Sequence, residues 1–415
     1  MNNKSIIIIG GGAAGFFAAI NAAELNPGAK VIILEKSNKL LTKVRVSGGG
    51  RCNVTNHCFE VNELVKNYPR GLKELKQVFS RFNVSDTIAW FKKRGVELKT
   101  EPDNRMFPDT DSSETIIDCF MYEAKKYGIE IKMNEEVLEI EKHITQNTKQ
   151  ERLKVRTNKE TYLSDSVICS SGGHNSAKNY NFIQKTGHTI SELIPSLFTI
   201  NLPGNPEKDG AGNIKELMGL SVQNATVRVE KTKHTYTGPV LITHWGLSGP
   251  AVLKLSAFAA KDFFDLNYNA NILINWSGEL NSELVSSELA GWMNEKSLII
   301  NTPLYEIPKR LWAFLLDKAE IADNKPWNEL GKKQQNKLAQ VLSNDVYNMK
   351  GKTTFKEEFV TSGGVNLKEI NFKTMQSKIM PGLYFCGEVL DIDGITGGFN
   401  FQNAWSTAFV AANSI

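Results

Sequence analysis

A chain of 415 residues is too long for one compact core and predicts two or three domains; its 41% apolar and 23% charged fractions are ordinary for a globular protein, and no apolar run is long enough to span a membrane. The net charge of +4 is slight, with lysines dispersed among acids, so neither nucleic acid nor a membrane surface is expected as a partner. Cys52, Cys58, Cys119, Cys169 and Cys386 form no Cys-x-x-Cys pair, which speaks for reduced thiols in the cytoplasm and against a metal site or a disulfide relay.

Ile6-Ile7-Ile8-Ile9 reads as a buried parallel strand, too short and too soon broken by glycines to be the core of a signal peptide. It runs into Gly10-Gly11-Gly12-Ala13-Ala14-Gly15 and an Ala-rich helix to about Leu25. Gly10, Gly12 and Gly15 fill the three positions of a dinucleotide fingerprint: a tight turn, a close backbone approach to pyrophosphate, and close helix–strand packing. The helix start at Ala13 and Ala14 offers N–H groups and a positive dipole end to phosphate. A second strand, Val31–Leu34, ends at Glu35-Lys36, where an acid can accept from ribose hydroxyls. The fingerprint alone does not separate NAD from FAD. Ser47-Gly48-Gly49-Gly50-Arg51-Cys52-Asn53-Val54-Thr55-Asn56 then supplies a second glycine cluster that could wrap a ligand continuing past the pyrophosphate, as FAD does.

Leu72, Leu75, Val78, Phe79 and Phe82 fall at helical spacing. Ser85 reads as the N-cap of a helix carrying Ile88, Trp90 and Phe91, and Ser113 as the cap of one carrying Ile116, Ile117, Phe120 and Met121. Short strands follow at Ile129–Lys132, Val137–Glu141, Leu153–Thr157 and Val167–Cys169, the last closing on Ser170-Ser171-Gly172-Gly173. A glycine pair at the carboxyl end of a parallel strand lets the chain pass close to a cofactor, here at Gly172 and Gly173. From about Pro195 the pattern changes to alternating strands with Gly, Pro and Asn turns, an antiparallel β-barrel-like insert. Helical spacing returns between Ser282 and Leu342, with Leu284, Leu289 and Trp292 on its first apolar face. Near Phe359 the first fold resumes: Gly382–Glu388 is a buried strand ending at Gly387-Glu388, and Gly397-Gly398-Phe399-Asn400-Phe401 opens a helix to the terminus. A helix N-terminus there could stabilise negative charge on a reduced flavin ring.

These motifs resemble the bacterial FAD-dependent flavoproteins that include aminoacetone oxidase and the bile-acid dehydro-Δ4,6-reductase. The likeness rests on Gly10–Gly15, Glu35-Lys36, Ser47–Asn56, Thr243-His244-Trp245-Gly246-Leu247-Ser248-Gly249-Pro250, Val360–Val365, and Gly387–Asp391 with Gly397–Asn400, and so covers essentially the whole chain. Where that family usually has a Gly-Lys-Lys-like run, this chain has Leu41-Thr42-Lys43-Val44-Arg45. The resemblance implies noncovalent FAD. It places the adenine edge at the Val137 strand, and Glu388 and Asp393 on the ribityl and pyrophosphate side.

The expected architecture is α/β: a Rossmann-like FAD-binding domain split between the termini (1–190 and 357–415), a β-barrel-like insert (191–280 and 343–356), and a small helical cap subdomain (281–342). The insert is expected to roof the flavin and to form the substrate pocket at the domain boundary. The expected function is an FAD-dependent oxidoreductase acting on a small organic substrate, leaning to a reductase or dehydrogenase that takes NAD(P)H as a transient co-substrate, since only one complete fingerprint is present. A flavin amine oxidase using oxygen is the alternative within the family; a flavin-binding redox carrier gated by a protein partner is the alternative of another class. No catalytic residue stands out. His244 is either a general acid or base of the insert or a side chain that pins the insert in place. The sequence leaves oligomeric state open.

Overall fold

The computed structural model describes residues 4–144, 151–203, 213–353 and 360–415. The chain divides into two compact units, Met1–Pro195 with Lys356–Ile415, and Ser196–Phe355.

The first unit is built on a seven-stranded sheet ordered Ile370–Asn371, Gln376–Ser377, Leu383–Phe385, Ser166–Cys169, Ser5–Ile9, Lys30–Glu35, Glu130–Met133. The last five strands of that order run parallel and are mostly buried, which is why Ile6–Ile9 and Val31–Leu34 are continuous apolar runs rather than alternating ones. Leu383–Phe385 joins the sheet through Ser166–Cys169, so the C-terminal part of the chain is two strands away from Ser5–Ile9. The helix Phe399–Ala412 is buried along nearly its whole length and packs on the Ala13–Leu25 helix. Phe17 and Trp405 meet at 5.3 Å between these two helices, and Trp90, Phe91 and Phe120 close the aromatic cluster. The Val84–Lys92 helix is capped by Asn83 in a reciprocal box with Asp86, not by Ser85; Asp86 returns a bond to the Asn83 N–H, which a cap at Ser85 would forgo. Likewise Ser112 rather than Ser113 caps the Ser113–Lys126 helix.

His188 ties the segment after the Asn181–Gln184 helix to the edge of this sheet. Thr186 gives its hydroxyl proton to Ile183 O (2.6 Å), so the 2.6 Å contact with His188 Nδ1 must run from imidazole N–H to Thr186 Oγ. Nε2 is then an acceptor for the Ser377 hydroxyl at 2.7 Å, whose oxygen already accepts from the N–H groups of Ile379 and Met380. A second imidazole proton has no acceptor. Burial lowers the pKa of His188 below the ordinary histidine value, against a smaller upward pull from Glu369. The unfolded chain therefore takes up the proton first: stability is full above about pH 6.5 and falls as pH drops below it. The melting temperature of wild type should fall between pH 7.5 and 5.5 more steeply than that of His188→Gln; parallel slopes would remove His188 as a cause.

The second unit holds a seven-stranded sheet ordered Asp345–Lys350, Asn269–Asn275, Ser221–Val229, Thr235–Ile242, Gly246–Ser248, Thr199–Asn201, Lys352–Thr353, in which neighbouring strands pair antiparallel. Its two outermost strands are consecutive in the chain, joined by Gly351, which donates to Tyr268 O and accepts from Asn201 N–H. The sheet therefore curls until its edges meet at one glycine. The helices Ser282–Gly291, Lys309–Lys318 and Lys332–Ser343 share a single apolar core with it: Val285, Leu289, Leu311, Trp312 and Leu338 belong to the same buried cluster as Val227, Ile272 and Trp276. Leu284 faces outward, and Val285 takes the buried place instead. Among the described residues no helix is long and apolar enough to cross a membrane.

Candidate functional site: a dinucleotide cradle

The site lies within the first unit, at the carboxyl ends of its parallel strands. Gly10 adopts φ +106°, and a Cβ there would lie 2.5 Å from Ser170 O. Its N–H bonds to Leu34 O, which fixes the turn to the neighbouring strand. Gly15 faces a stricter limit, since its Cβ would sit 1.9 Å from Gly10 O. Gly12, by contrast, has nothing within 4 Å of that position, so the turn is open on the side where a phosphate is expected.

A cavity of about 420 Å³ opens beside this turn, lined by Gly10, Glu35, Lys36, Val137, Ser171 and His174 among others. Four residues singled out from sequence, Gly10, Glu35, Lys36 and Val137, are thus brought to one cavity, although they arrive on three different segments. Glu35 accepts from the N–H groups of Gly11 and Ser37, both at 2.8 Å, so its carboxylate is held rigid and also braces the fingerprint turn. Replacing Glu35 by Ala should weaken FAD by about 1–3 kcal/mol, read by titrating flavin into stripped protein; an unchanged affinity would place the ribose acceptor elsewhere.

Two groups here are absent from the sequence reading of the cavity. His174 follows Gly173 directly and lines the cavity; burial, then Lys36 and Lys43, push its pKa down to about 4, so it is neutral at pH 7. Its backbone N–H donates to Tyr180 Oη at 3.2 Å. Lys43 lies 2.5 Å from Glu388, across 345 positions of sequence. The other Glu388 oxygen, Oε1, is buried and without a hydrogen-bond partner among the described residues. It lies beside Gly173, whose Cβ would come within 2.8 Å of it, while a Cβ on Gly387 would touch Ala14. Gly173, Glu388, Gly387 and Ala14 therefore form one contiguous wall, and Gly172 beside it has open space at its Cβ position.

The second glycine cluster meets the start of the C-terminal helix. The helical course of Thr42–Gly50 breaks at Ser47, Gly48 and Gly49, with Gly48 and Gly49 at positive φ. A Cβ on Gly48 would strike Phe107, over whose ring Arg51 lies at 4.0 Å while pairing with Glu101 at 2.5 Å. Gly49 and Gly50 have open space at their Cβ positions. The Asn53 amide accepts from Gly398 N–H (2.9 Å) and donates to Thr55 O (3.0 Å), and Asn56 donates to Gly397 O at 3.0 Å. Tyr68 fixes the same helix start through a 2.6 Å bond to Phe399 O. Cys52 is fully buried, and burial raises its pKa to about 12, so it is a neutral thiol.

Three of the residues named from sequence have their side chains occupied by the protein itself. Asp393 is fully buried with both oxygens on the guanidinium of Arg70. Asn400 bonds both ways with the backbone of Gly394, at 2.8 and 2.9 Å. Phe401 stacks on Trp405 at 5.4 Å. Among the described residues no cluster of His, Cys, Asp and Glu could hold a metal ion.

The residues present suit a long dinucleotide. An unpartnered buried carboxylate oxygen, open space at Gly12, Gly49, Gly50 and Gly172, and two cations at Lys36 and Lys43 are groups for hydroxyls and phosphates to engage. Fold and site together define a Rossmann-type FAD-binding protein with its nucleotide domain assembled from both ends of the chain. The chain belongs to the HI0933-like protein Rossmann domain family, which matches residues 4–414. It is 29% identical over 425 residues to a ribosomal RNA dihydrouridine synthase of Escherichia coli, covering 100% of this chain and 98% of that one. It is 26% identical over 415 residues to a 3-dehydro-bile acid delta(4,6)-reductase of Clostridium scindens, covering 98% of each, which bears out the family likeness read from the motifs. Among solved structures, a 3-ketosteroid delta1-dehydrogenase from Sterolibacterium denitrificans shares the fold with a TM-score of 0.51 at 12% identity, covering 100% of this chain and 99% of that one. The protein is an FAD-dependent oxidoreductase.

Proposed function

We propose that the protein is an FAD-dependent reductase that saturates a carbon–carbon double bond conjugated to a carbonyl, and that its substrate is a uracil ring of ribosomal RNA. The observation that carries the reading is the single cradle: fingerprint, cavity and Glu388 wall suit one FAD, and the sequence has no second fingerprint for a resident nicotinamide nucleotide. Two relatives support the reaction type. Dihydrouridine is uridine with two hydrogens added across its ring double bond, and a delta(4,6)-reductase likewise removes unsaturation. The full-length relative at 29% identity favours the RNA base, whereas the slight net charge of +4 favours a small enone, which is the second reading.

Bound FAD, reduced by a transient NAD(P)H, would supply hydride to one carbon while a proton reaches the other. The chain's own part is binding and electrostatics. Glu35 presents its fixed carboxylate to ribose, and Glu388 Oε1 gains the hydroxyl donor it lacks. Neutral His174 adds a polar contact beside Lys36 and Lys43 without a third positive charge. The N-terminus of Phe399–Ala412, pinned by Asn53 and Tyr68, favours negative charge in front of it.

The test is anaerobic mixing of the oxidised holoprotein with NADH and NADPH, then of the reduced protein with a ribosomal RNA fragment or a cyclic enone, following flavin absorbance and dihydrouridine content. Reoxidation by RNA with dihydrouridine formed supports the proposal. Bleaching by a small amine, with peroxide on admitting air, would replace the reductase with an amine oxidase.

A further inference from the structure

The Thr243-His244-Trp245-Gly246-Leu247-Ser248-Gly249-Pro250 motif lies outside the dinucleotide cradle. In the second unit it is a tight hairpin between Thr235–Ile242 and Gly246–Ser248, with Thr243 and Gly246 exchanging both backbone bonds (2.7 and 3.1 Å), so that the loop is only His244 and Trp245. Both side chains are exposed, Trp245 to 44%, and their rings lie 4.6 Å apart. An indole left in water at a loop tip costs free energy unless something covers it.

The tip is also rigid. Gly246 adopts φ +147°, and a Cβ there would lie 2.4 Å from Ile200 O. Trp245 O accepts from Leu202 N–H at 3.0 Å, and a Cβ on Gly249 would lie 2.8 Å from Pro239 O. The sheet thus grips both sides of the loop and fixes the backbone from which the two rings project. Lys215 Nζ donates at 3.2 Å to the carbonyl of Leu202, the residue whose N–H holds Trp245 O. Two aromatic rings on a backbone-held loop, with an ammonium group bonded to the strand residue that grips that loop, have the chemistry of a stacking platform for single-stranded nucleic acid: rings for bases, a cation for phosphate.

We infer that the His244–Trp245 tip stacks on an unpaired base of an RNA substrate, with Lys215 against the adjoining phosphate. The inference rests on the proposed RNA substrate and says which surface of the chain would grip it. Preorganisation matters here because a platform held by backbone bonds loses little freedom when a base docks.

The test is binding of a labelled, uridine-containing single-stranded RNA of about 12 nucleotides to holoprotein, with flavin content and melting recorded for each variant. Trp245→Ala should weaken binding about 5- to 150-fold, and Trp245→Phe, which keeps a ring, far less. Lys215→Gln should lower the slope of log affinity against log salt by about 0.7. Should Trp245→Ala melt early, His244→Ala gives the second reading of the same platform. RNA binding by wild type that both alanine variants retain overturns the inference and leaves the RNA substrate standing. A wild type that ignores RNA while its reduced flavin is reoxidised by a cyclic enone overturns both.

Discussion

A fragment ending at Pro195 is expected to remain unfolded and to bind no FAD, although it contains the whole fingerprint, Glu35, the Val137 strand and the second glycine cluster. It lacks the Leu383–Phe385 strand that covers Ser166–Cys169, and the Phe399–Ala412 helix that buries the outer face of Ala13–Leu25. Without them Phe17, Phe91 and Phe120 lose Trp405, and the aromatic cluster they form with Trp90 is bared on that side. At about 1.5–3 kcal/mol for each large apolar side chain returned to water, the loss is comparable to the whole stability of an ordinary domain. Far-ultraviolet circular dichroism and flavin retention on a desalting column measure it. A folded, yellow 1–195 fragment would falsify the split-domain account.

Gly15→Ala and Gly12→Ala should behave in opposite ways, although both alter the fingerprint by one methyl. At Gly15 the new Cβ lies 1.9 Å from Gly10 O and 2.9 Å from the Ser170 hydroxyl, so helix and strand must separate. Overpacking of this kind costs about 1–3 kcal/mol or more and should lower the melting temperature with flavin stripped as well as bound. At Gly12 the methyl meets no protein atom and projects where the pyrophosphate is expected, so the stripped protein should melt normally while flavin content falls. Equal melting temperatures for the two stripped variants would break the assignment of one glycine to packing and the other to ligand.

Legibility in the sequence follows the range of the interactions. The strand, glycine turn, helix and Glu35 are local, since each is decided by residues a few positions away, and the structure has them where the spacing puts them. The C-terminal strand could be read because a buried run ending at Gly387-Glu388 has the same grammar as the first strand. What could not be read is long-range pairing. Lys43 with Glu388 and Arg70 with Asp393 are ion pairs across 345 and 323 positions, and no periodicity marks either member. His174 gave a weak signal, a titratable residue directly after the Ser-Ser-Gly-Gly turn. Its depressed pKa comes first from burial and then from Lys36 and Lys43 beside it, all of which need the folded chain. The shared core of the second unit was missed for another reason: helices that bury residues against a curled sheet expose others at near-helical spacing, as Leu284 and Val285 show.

The order of the chain also sets an order of events at the ribosome. Ser5–Ile9 and its neighbours emerge first, but the strand that completes their sheet lies beyond the entire second unit. At about 5–20 residues per second, the interval is roughly 10–40 seconds, during which an almost wholly aliphatic strand and the face of its helix wait uncovered. The second unit, contiguous in sequence and with a core of its own, can close in that time. Chaperone dependence should therefore concentrate on the first 195 residues of the nascent chain, and cofactor loading becomes a post-translational step.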